Sequence, residues 1–282
     1  MKMTLQQGWQ RLRGGALLPG RLGVLRRANY LRHGLANLVF PPSCLSCDVE
    51  LDSDDPFVGD VLICEACWER SELVAGPECM RCGAPVPLAE PIEAEGAVRR
   101  ARAAGCYRCR GRKMWFDQTV ALGLYKGRLR ELLLRMKRAE GDALSLAMGK
   151  LLWHVRGEKL TALGADVIAP IPLHWRRRVV HRTNSAAVLA EVLSSKLLVP
   201  LAEGLLRRKR YTVRQTELTP PKRWENVRQA FALGAGYHLR AAHVLLVDDI
   251  LTTGATCSDA ARSLRSAGAS RVTVVVAARS LG

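Results

Sequence analysis

At 282 residues the chain suits one large domain or a core domain with a smaller module, and 48% apolar content is enough to bury a sizeable core. Its 43 Lys and Arg against 26 Asp and Glu leave +17, which favours an anionic partner (nucleic acid, acidic lipid or a phosphorylated metabolite) unless the Arg-rich composition only reflects a GC-rich genome. No run of 18 apolar residues exists, so no transmembrane segment is expected.

Residues 1–40 hold Lys2, Arg11, Arg13, Arg21, Arg26, Arg27 and Arg32 and no acid. This basic N-terminal segment lacks the apolar stretch and small-residue cleavage site of a secretory signal, so a cytoplasmic protein is expected. An Arg-rich transit peptide and a start codon placed too far upstream are the other readings. Leu31, Leu35, Leu38 and Val39 recur at helical spacing and predict a short amphipathic helix.

Eight of the nine cysteines then fall in C-x-x-C pairs: Cys44/Cys47, Cys64/Cys67, Cys79/Cys82 and Cys106/Cys109. Without a signal peptide, paired spacing reads as metal binding in place of disulfides and marks a module over residues 41–113. Zinc prefers four thiolates in a tetrahedron, and one C-x-x-C turn brings two sulfurs to the same metal. Four pairs therefore predict two structural Zn²⁺, which with eight thiolates lower the charge to about +13. Sequential pairing puts Cys44, Cys47, Cys64 and Cys67 on one ion and Cys79, Cys82, Cys106 and Cys109 on the other; the spacing also allows interleaved pairing. Iron–sulfur ligation and redox dithiols are the rival chemistries. Gly83 suits a knuckle that turns back, the Cys64–Cys67 knuckle runs into Trp68-Glu69-Arg70, which can start a helix, and 88–104 reads as a loop or short helix. Arg102, Arg108, Arg110, Arg112 and Lys113 are either a face for nucleic acid or an ordinary solvated surface.

Beyond the cysteines, Thr119–Tyr125 predicts a strand, Lys126-Gly127 a turn and Arg128–Arg138 a helix. Asp142 is placed as the cap of a helix Ala143–Arg156, with Leu144, Ala147, Met148, Leu151 and Leu152 as its apolar stripe. Asp166–Ala169 reads as a buried strand stopped by Pro170-Ile171-Pro172, and Asn184 or Ser185 caps a helix to about Leu197. Arg207–Arg228, with Pro220-Pro221 and no periodic apolar face, reads as a mobile basic connection. His243–Val247, a loop, a helix Ser258–Ala267, Gly268 as C-cap and Arg271–Ala277 make a βαβ unit, hence a parallel sheet flanked by helices. The histidines show no ligand spacing, and Cys257 reads as a small packing residue.

Between the last two strands lies Val247-Asp248-Asp249-Ile250-Leu251-Thr252-Thr253-Gly254-Ala255-Thr256. Two adjacent aspartates at the carboxyl end of a buried strand need a cation or donors to offset their repulsion. The Thr and Gly residues that follow let backbone approach a ligand where a helix begins, and free N–H groups there suit a phosphate. Acids for vicinal hydroxyls beside a phosphate cradle describe a ribose 5-phosphate site.

Residues 244–256 (VLLVDDILTTGAT) resemble the PRPP-binding motif of type I phosphoribosyltransferases. With the knuckles after Phe40-Pro41-Pro42, with Tyr125-Lys126-Gly127, Lys137, Pro170-Ile171-Pro172-Leu173, and with Gln215, Arg223 and Asn226 in that order, residues 40–282 resemble the ComF/GntX family of bacterial competence proteins. The resemblance implies an α/β fold: a phosphoribosyltransferase-type domain over 114–282 behind the zinc module. It implies that Asp248 and Asp249 hold the ribose hydroxyls with Mg²⁺ nearby and that Thr252, Thr253, Gly254, Ala255 and Thr256 wrap the 5-phosphate. It also implies that the basic connection, with Lys222 and Arg223, closes over the substrate as a lid, so Asp248, Asp249 and Arg223 are the catalytic candidates. Where the family reads Arg-Gly-Phe-Asn-Gln-Ala or similar, this chain has His181-Arg182-Thr183-Asn184-Ser185-Ala186, keeping only Asn184 and Ala186. Two functions follow. One is an enzyme moving a phosphoribosyl group from PRPP to an unidentified acceptor, in a family associated with DNA uptake. The other is a competence or repair factor that binds single-stranded DNA or competence-machinery proteins and keeps the PRPP loop for sensing or stability.

Overall fold

A computed structural model describes residues 41–51, 61–74, 76–86, 105–138, 141–173, 184–210 and 219–281. In chain order the elements are α1 (Glu65–Glu69), β1 (Gln118–Leu124), α2 (Gly127–Met136), α3 (Asp142–Ala162), β2 (Val167–Pro170), α4 (Ser185–Leu197) and β3 (Leu206–Arg208). They continue as α5 (Pro220–Val227), β4 (Phe231–Leu233), β5 (His243–Leu251), α6 (Ala255–Ser266) and β6 (Arg271–Arg279).

Four strands form a sheet in the order β1-β6-β5-β2 with every pair parallel. The central strands explain the continuous apolar runs of the sequence. Val244–Val247 and Val272–Ala278 are buried throughout, because helices cover both faces and no position alternates to water. On one face Met148, Leu151 and Leu152 of α3 meet Leu189 and Leu193 of α4 over Leu245, Val247 and Val275. On the other, Ala260 and Leu264 of α6 pack over Val244, Leu246 and Val274. α3 and α4 approach closely at Gly149, where an added Cβ would lie 2.9 Å from Val192 Cγ2.

The cysteine-bearing stretch lies along the outer edge of β1. Leu73 bridges Gly123, the Leu124 and Thr119 N–H groups donate to the Glu72 and Met80 carbonyls at 2.6 and 2.8 Å, and the Val74 N–H donates to Leu122 at 3.1 Å. The edge strand is thereby paired and hidden from water.

Three expectations change. Asp142 does not cap α3: it is the first helical residue, and Gly141 takes the cap position, where a Cβ would come within 2.1 Å of the Met136 carbonyl. Asn184 stands at the start of α4, but its side chain donates to the Ile171 carbonyl (3.1 Å) and ties the helix to the loop after β2. The basic connection is anchored at both ends. β3 pairs antiparallel with β4, and Pro220-Pro221 sit at the first turn of α5, where proline costs no helical hydrogen bond. Asp259 of α6 then receives the Gln229 and Ala230 N–H groups at 2.9 Å, and Arg210 donates to the Arg228 carbonyl at 2.7 Å. Trp224 supplies the apolar contact that the sequence pattern does not advertise. The readings of 1–40, of 88–104, of His181–Thr183 and of the centre of the basic connection, 211–218, lie outside the described residues. Among the described residues no helix is long and apolar enough to cross a membrane.

Candidate active site and zinc sites

The eight paired cysteines gather into two groups of four: Cys44, Cys47, Cys64 and Cys67, and Cys79, Cys82, Cys106 and Cys109, with all sulfurs of a group within 4.8 Å of one another. The pairing is therefore sequential. A tetrahedron with Zn–S bonds of about 2.3 Å places sulfurs about 3.8 Å apart. The separations Cys47–Cys64 (3.7 Å), Cys79–Cys109 (3.7 Å), Cys82–Cys106 (3.6 Å) and Cys106–Cys109 (3.9 Å) fit that ion. Backbone N–H groups of Ser46 and Cys64 approach Cys44 Sγ at 3.4 and 3.3 Å, and Cys106 N–H approaches Cys79 Sγ at 3.4 Å, which favours the thiolate that zinc binds. Closed four-thiolate sites are structural, with no position left for a substrate. Gly83, at φ +67°, makes the turn back in the second group.

The first group rests on α2. Arg128 donates to the Ser46 carbonyl (3.0 Å) and lies 3.7 Å from Cys67 Sγ, and Arg135 donates to the same carbonyl at 3.2 Å. The C-cap of α2 is Lys137, whose Nζ forms an ion pair with Asp249 Oδ2 at 3.0 Å. Lys137, which sequence resemblance singled out without a role, thus reaches the acids at the end of β5.

β5 runs four residues beyond the expected strand and carries Asp248 and Asp249 on opposite faces. Asp248 Oδ1 accepts the Asp249 N–H (2.9 Å), and Cys257 Sγ lies 3.6 Å from Oδ2. Burial first, and the Asp249 charge second, push the Asp248 carboxyl up to about 7, against smaller stabilisation from Lys137. Burial and the Asp248 charge likewise push the Cys257 thiol up, so Cys257 is an inert neighbour. Burial works against the Lys137 ammonium, but Asp249 outweighs it and holds that pKa above the usual lysine range.

The Asp248 shift has a measurable consequence. Its ordinary value is 3.8. Between about 4 and about 7 the folded state keeps a proton that the unfolded state has released, so the contribution of Asp248 to stability falls as pH rises through that window. Asp248→Asn is expected to be more stable than the wild type at pH 8, by on the order of 1 kcal/mol, and so to melt at a higher temperature. That gain should vanish toward pH 5; thermal melts at both pH values check it.

After Leu251 the chain turns through Thr252, Thr253 and Gly254. Gly254 adopts φ +81°, a left-handed conformation that admits glycine without strain, and α6 begins at the next residue, three earlier than expected. Thr253 is buried, and its Oγ1 accepts the Ala255 N–H at 3.3 Å. An open pocket at this turn is lined by Asp248, Ile250, Leu251, Thr252, Gly254, Ala255, Thr256 and Cys257. Of the sequence candidates, Asp248, Thr252, Gly254, Ala255 and Thr256 share that pocket. Asp249 faces Lys137 instead, Thr253 supports the turn from beneath, and Arg223 lies on α5, which packs against α6, and is not part of the lining.

Two family models match the chain: a double zinc ribbon domain over residues 35–110 and a phosphoribosyl transferase domain over residues 183–281. Over most of its length the chain is similar to ComF-type proteins. Competence protein F of Haemophilus influenzae is 27% identical over 75% of this chain and 88% of its own length. DNA utilization protein YhgH of Escherichia coli K12 is 27% identical over 86% of this chain and 100% of its own. Competence protein ComFC of Bacillus subtilis is 27% identical over 80% and 89%. The phosphoribosyl transferase match contains the whole β5–α6 turn, and the zinc ribbon match contains all eight clustered cysteines.

Proposed function

We propose that this chain binds PRPP at the β5–α6 turn and transfers its 5-phosphoribosyl group to an acceptor, releasing pyrophosphate, in a cytoplasmic pathway of DNA utilisation or competence. The domain division that goes with this reading is a basic segment 1–40, a zinc module 41–113 and a phosphoribosyltransferase domain 114–282. One observation carries it: two acids and an open backbone turn at the carboxyl end of a central strand, the place where open α/β sheets bind ligands. Asp248 and Asp249 hold the ribose 2′- and 3′-hydroxyls, and Thr252, Thr253, Gly254, Ala255 and Thr256 hold the 5-phosphate at the start of α6. Lys137 holds Asp249 in an ion pair and aims it. The transition state at the sugar carbon is oxocarbenium-like, so what the chain supplies is orientation, charge and exclusion of water. Asp248 and Asp249 would keep Mg²⁺ nearby when PRPP is bound, and the ion would offset the charge of the pyrophosphate. Arg223 adds positive charge from α5. Pyrophosphate release, measured with PRPP, Mg²⁺ and a panel of bases, nucleotides and single-stranded DNA, tests the activity; turnover with one acceptor class is expected, and none with any acceptor contradicts transfer.

A second reading, a nucleic-acid-binding factor that keeps the turn for sensing or stability, is favoured by the surface of the second cysteine group. Tyr107 is 69% exposed and Trp115 38%, with Arg108 over the Tyr107 ring (5.1 Å) and Lys113 over the Trp115 ring (4.6 Å). Exposed rings interleaved with cations suit stacked bases and a phosphate backbone. On this reading single-stranded DNA binds with a steep salt dependence, and Tyr107→Ala weakens it by about 1–3 kcal/mol. Unchanged affinity in Tyr107→Ala removes this surface from consideration.

A further inference from the structure

Arg279 is a buried cation that neither reading uses. It closes β6, is 4% exposed, and lies in register with Leu251 of β5 and Leu124 of β1. Its Nη1 donates to the Leu251 carbonyl at 2.8 Å and also to the Thr252 and Ser280 carbonyls. Its Nε is buried without a hydrogen-bond partner. Carbonyl dipoles do not neutralise a guanidinium, and a buried charge is costly without a counter-charge. Burial accordingly lowers the Arg279 pKa.

Through the Leu251 and Thr252 carbonyls Arg279 reaches the pocket lining. The two carbonyls it fixes lead into the turn at Thr252–Gly254. In a trans peptide C=O and N–H point in opposite directions, so holding the Thr252 carbonyl on Arg279 turns the Thr253 N–H away from it. Backbone N–H groups of such a turn are what a phosphate engages. Packing runs along the same line. Met114 touches both the second cysteine group and the core beneath α6, and Met114 and Phe116 stand over Gly254. The Trp115 N–H donates to Ser258 Oγ of α6 at 3.2 Å, and Arg108 donates to the Leu281 carbonyl at 2.6 Å just past β6.

We propose that Arg279 is a positioning residue whose hydrogen bonds couple β6 to the phosphate turn. It fixes the Leu251 and Thr252 carbonyls and so presents the turn for a sugar phosphate. The ligand named here rests on the PRPP reading above; the coupling does not.

The test uses full-length protein with its zinc content measured, amide hydrogen exchange of residues 252–256, and calorimetric titration with PRPP and Mg²⁺. Arg279→Met, retaining two zinc ions, is expected to exchange faster than wild type in 252–256 and to bind PRPP about 10- to 100-fold more weakly. Arg279→Lys keeps the charge but cannot span the carbonyls that the guanidinium holds, and is expected to fall between the two. Wild-type exchange in Arg279→Met overturns the coupling. Should that variant not fold, wild-type exchange in Arg279→Lys overturns it equally. A wild-type protein that fails to bind PRPP while the exchange difference persists sinks the ligand reading alone and leaves the coupling supported.

Discussion

Asp249→Asn is expected to weaken PRPP binding by about 100-fold while leaving the fold and both zinc ions in place. Asn is nearly isosteric, so the β5 backbone and the turn are unaltered. What disappears is the anionic acceptor for a ribose hydroxyl and the partner of Lys137, 3.0 Å away. Truncating one member of a charged, hydrogen-bonded pair in a binding site costs about 2–5 kcal/mol, because the remaining charge loses its compensation; 100-fold corresponds to about 2.7 kcal/mol. Two effects oppose the loss. Relieving repulsion at Asp248 stabilises the free protein, and the Lys137 ammonium becomes available to a ligand phosphate. Neither replaces a carboxylate that accepts from a hydroxyl. Calorimetry with Mg²⁺ on both proteins reads the difference, and equal affinities would remove Asp249 from the site.

Zinc removal is expected to be the most damaging perturbation to structure. Purified protein should carry two zinc ions per chain, and Cys79→Ser should lose one of them and melt more than about 10 °C lower. Little else holds this region. Its own apolar cluster around the second site consists mainly of the cysteines with Ala84, Val86, Met114 and Leu281, far less than an independent core needs. Because Met80 and Glu72 pair with β1, losing the knuckles also strips the edge of the main sheet. Elemental analysis giving one ion, or iron with visible absorbance, contradicts the two-site description.

What could be read from the sequence was what is local in it. The β5–α6 turn is contiguous, so its acids, threonines and glycine announce their chemistry without a folded chain. The C-x-x-C spacing announces metal for the same reason. Which knuckles share a metal depends on how distant segments meet, and the spacing left that open until the sulfurs were seen in two groups. The buried strands were visible as β-branched runs, but their ends were not: Asp248 and Asp249 are strand residues, a pattern that composition assigns to a loop. The anchors at the two ends of the basic connection are tertiary, so spacing does not show them. Asp259 receives its backbone N–H groups and Trp224 packs from a helix of only two turns, too short to show a periodic face. Arg279 had one faint signal, a charge ending an apolar strand. Its partners include the Leu251 and Thr252 carbonyls, far from it in the chain, and no spacing rule joins them.

The identity of the turn is tested most directly by titrating zinc-loaded wild-type protein with PRPP in Mg²⁺, alongside ribose 5-phosphate and pyrophosphate alone. The expected result is one saturable PRPP site per chain, with ribose 5-phosphate weaker and competing for it, since both place a 5-phosphate on the turn and vicinal hydroxyls on Asp248 and Asp249. Saturable binding of pyrophosphate with no competition from ribose 5-phosphate, or no binding of PRPP at all, would contradict a ribose 5-phosphate site at the start of α6.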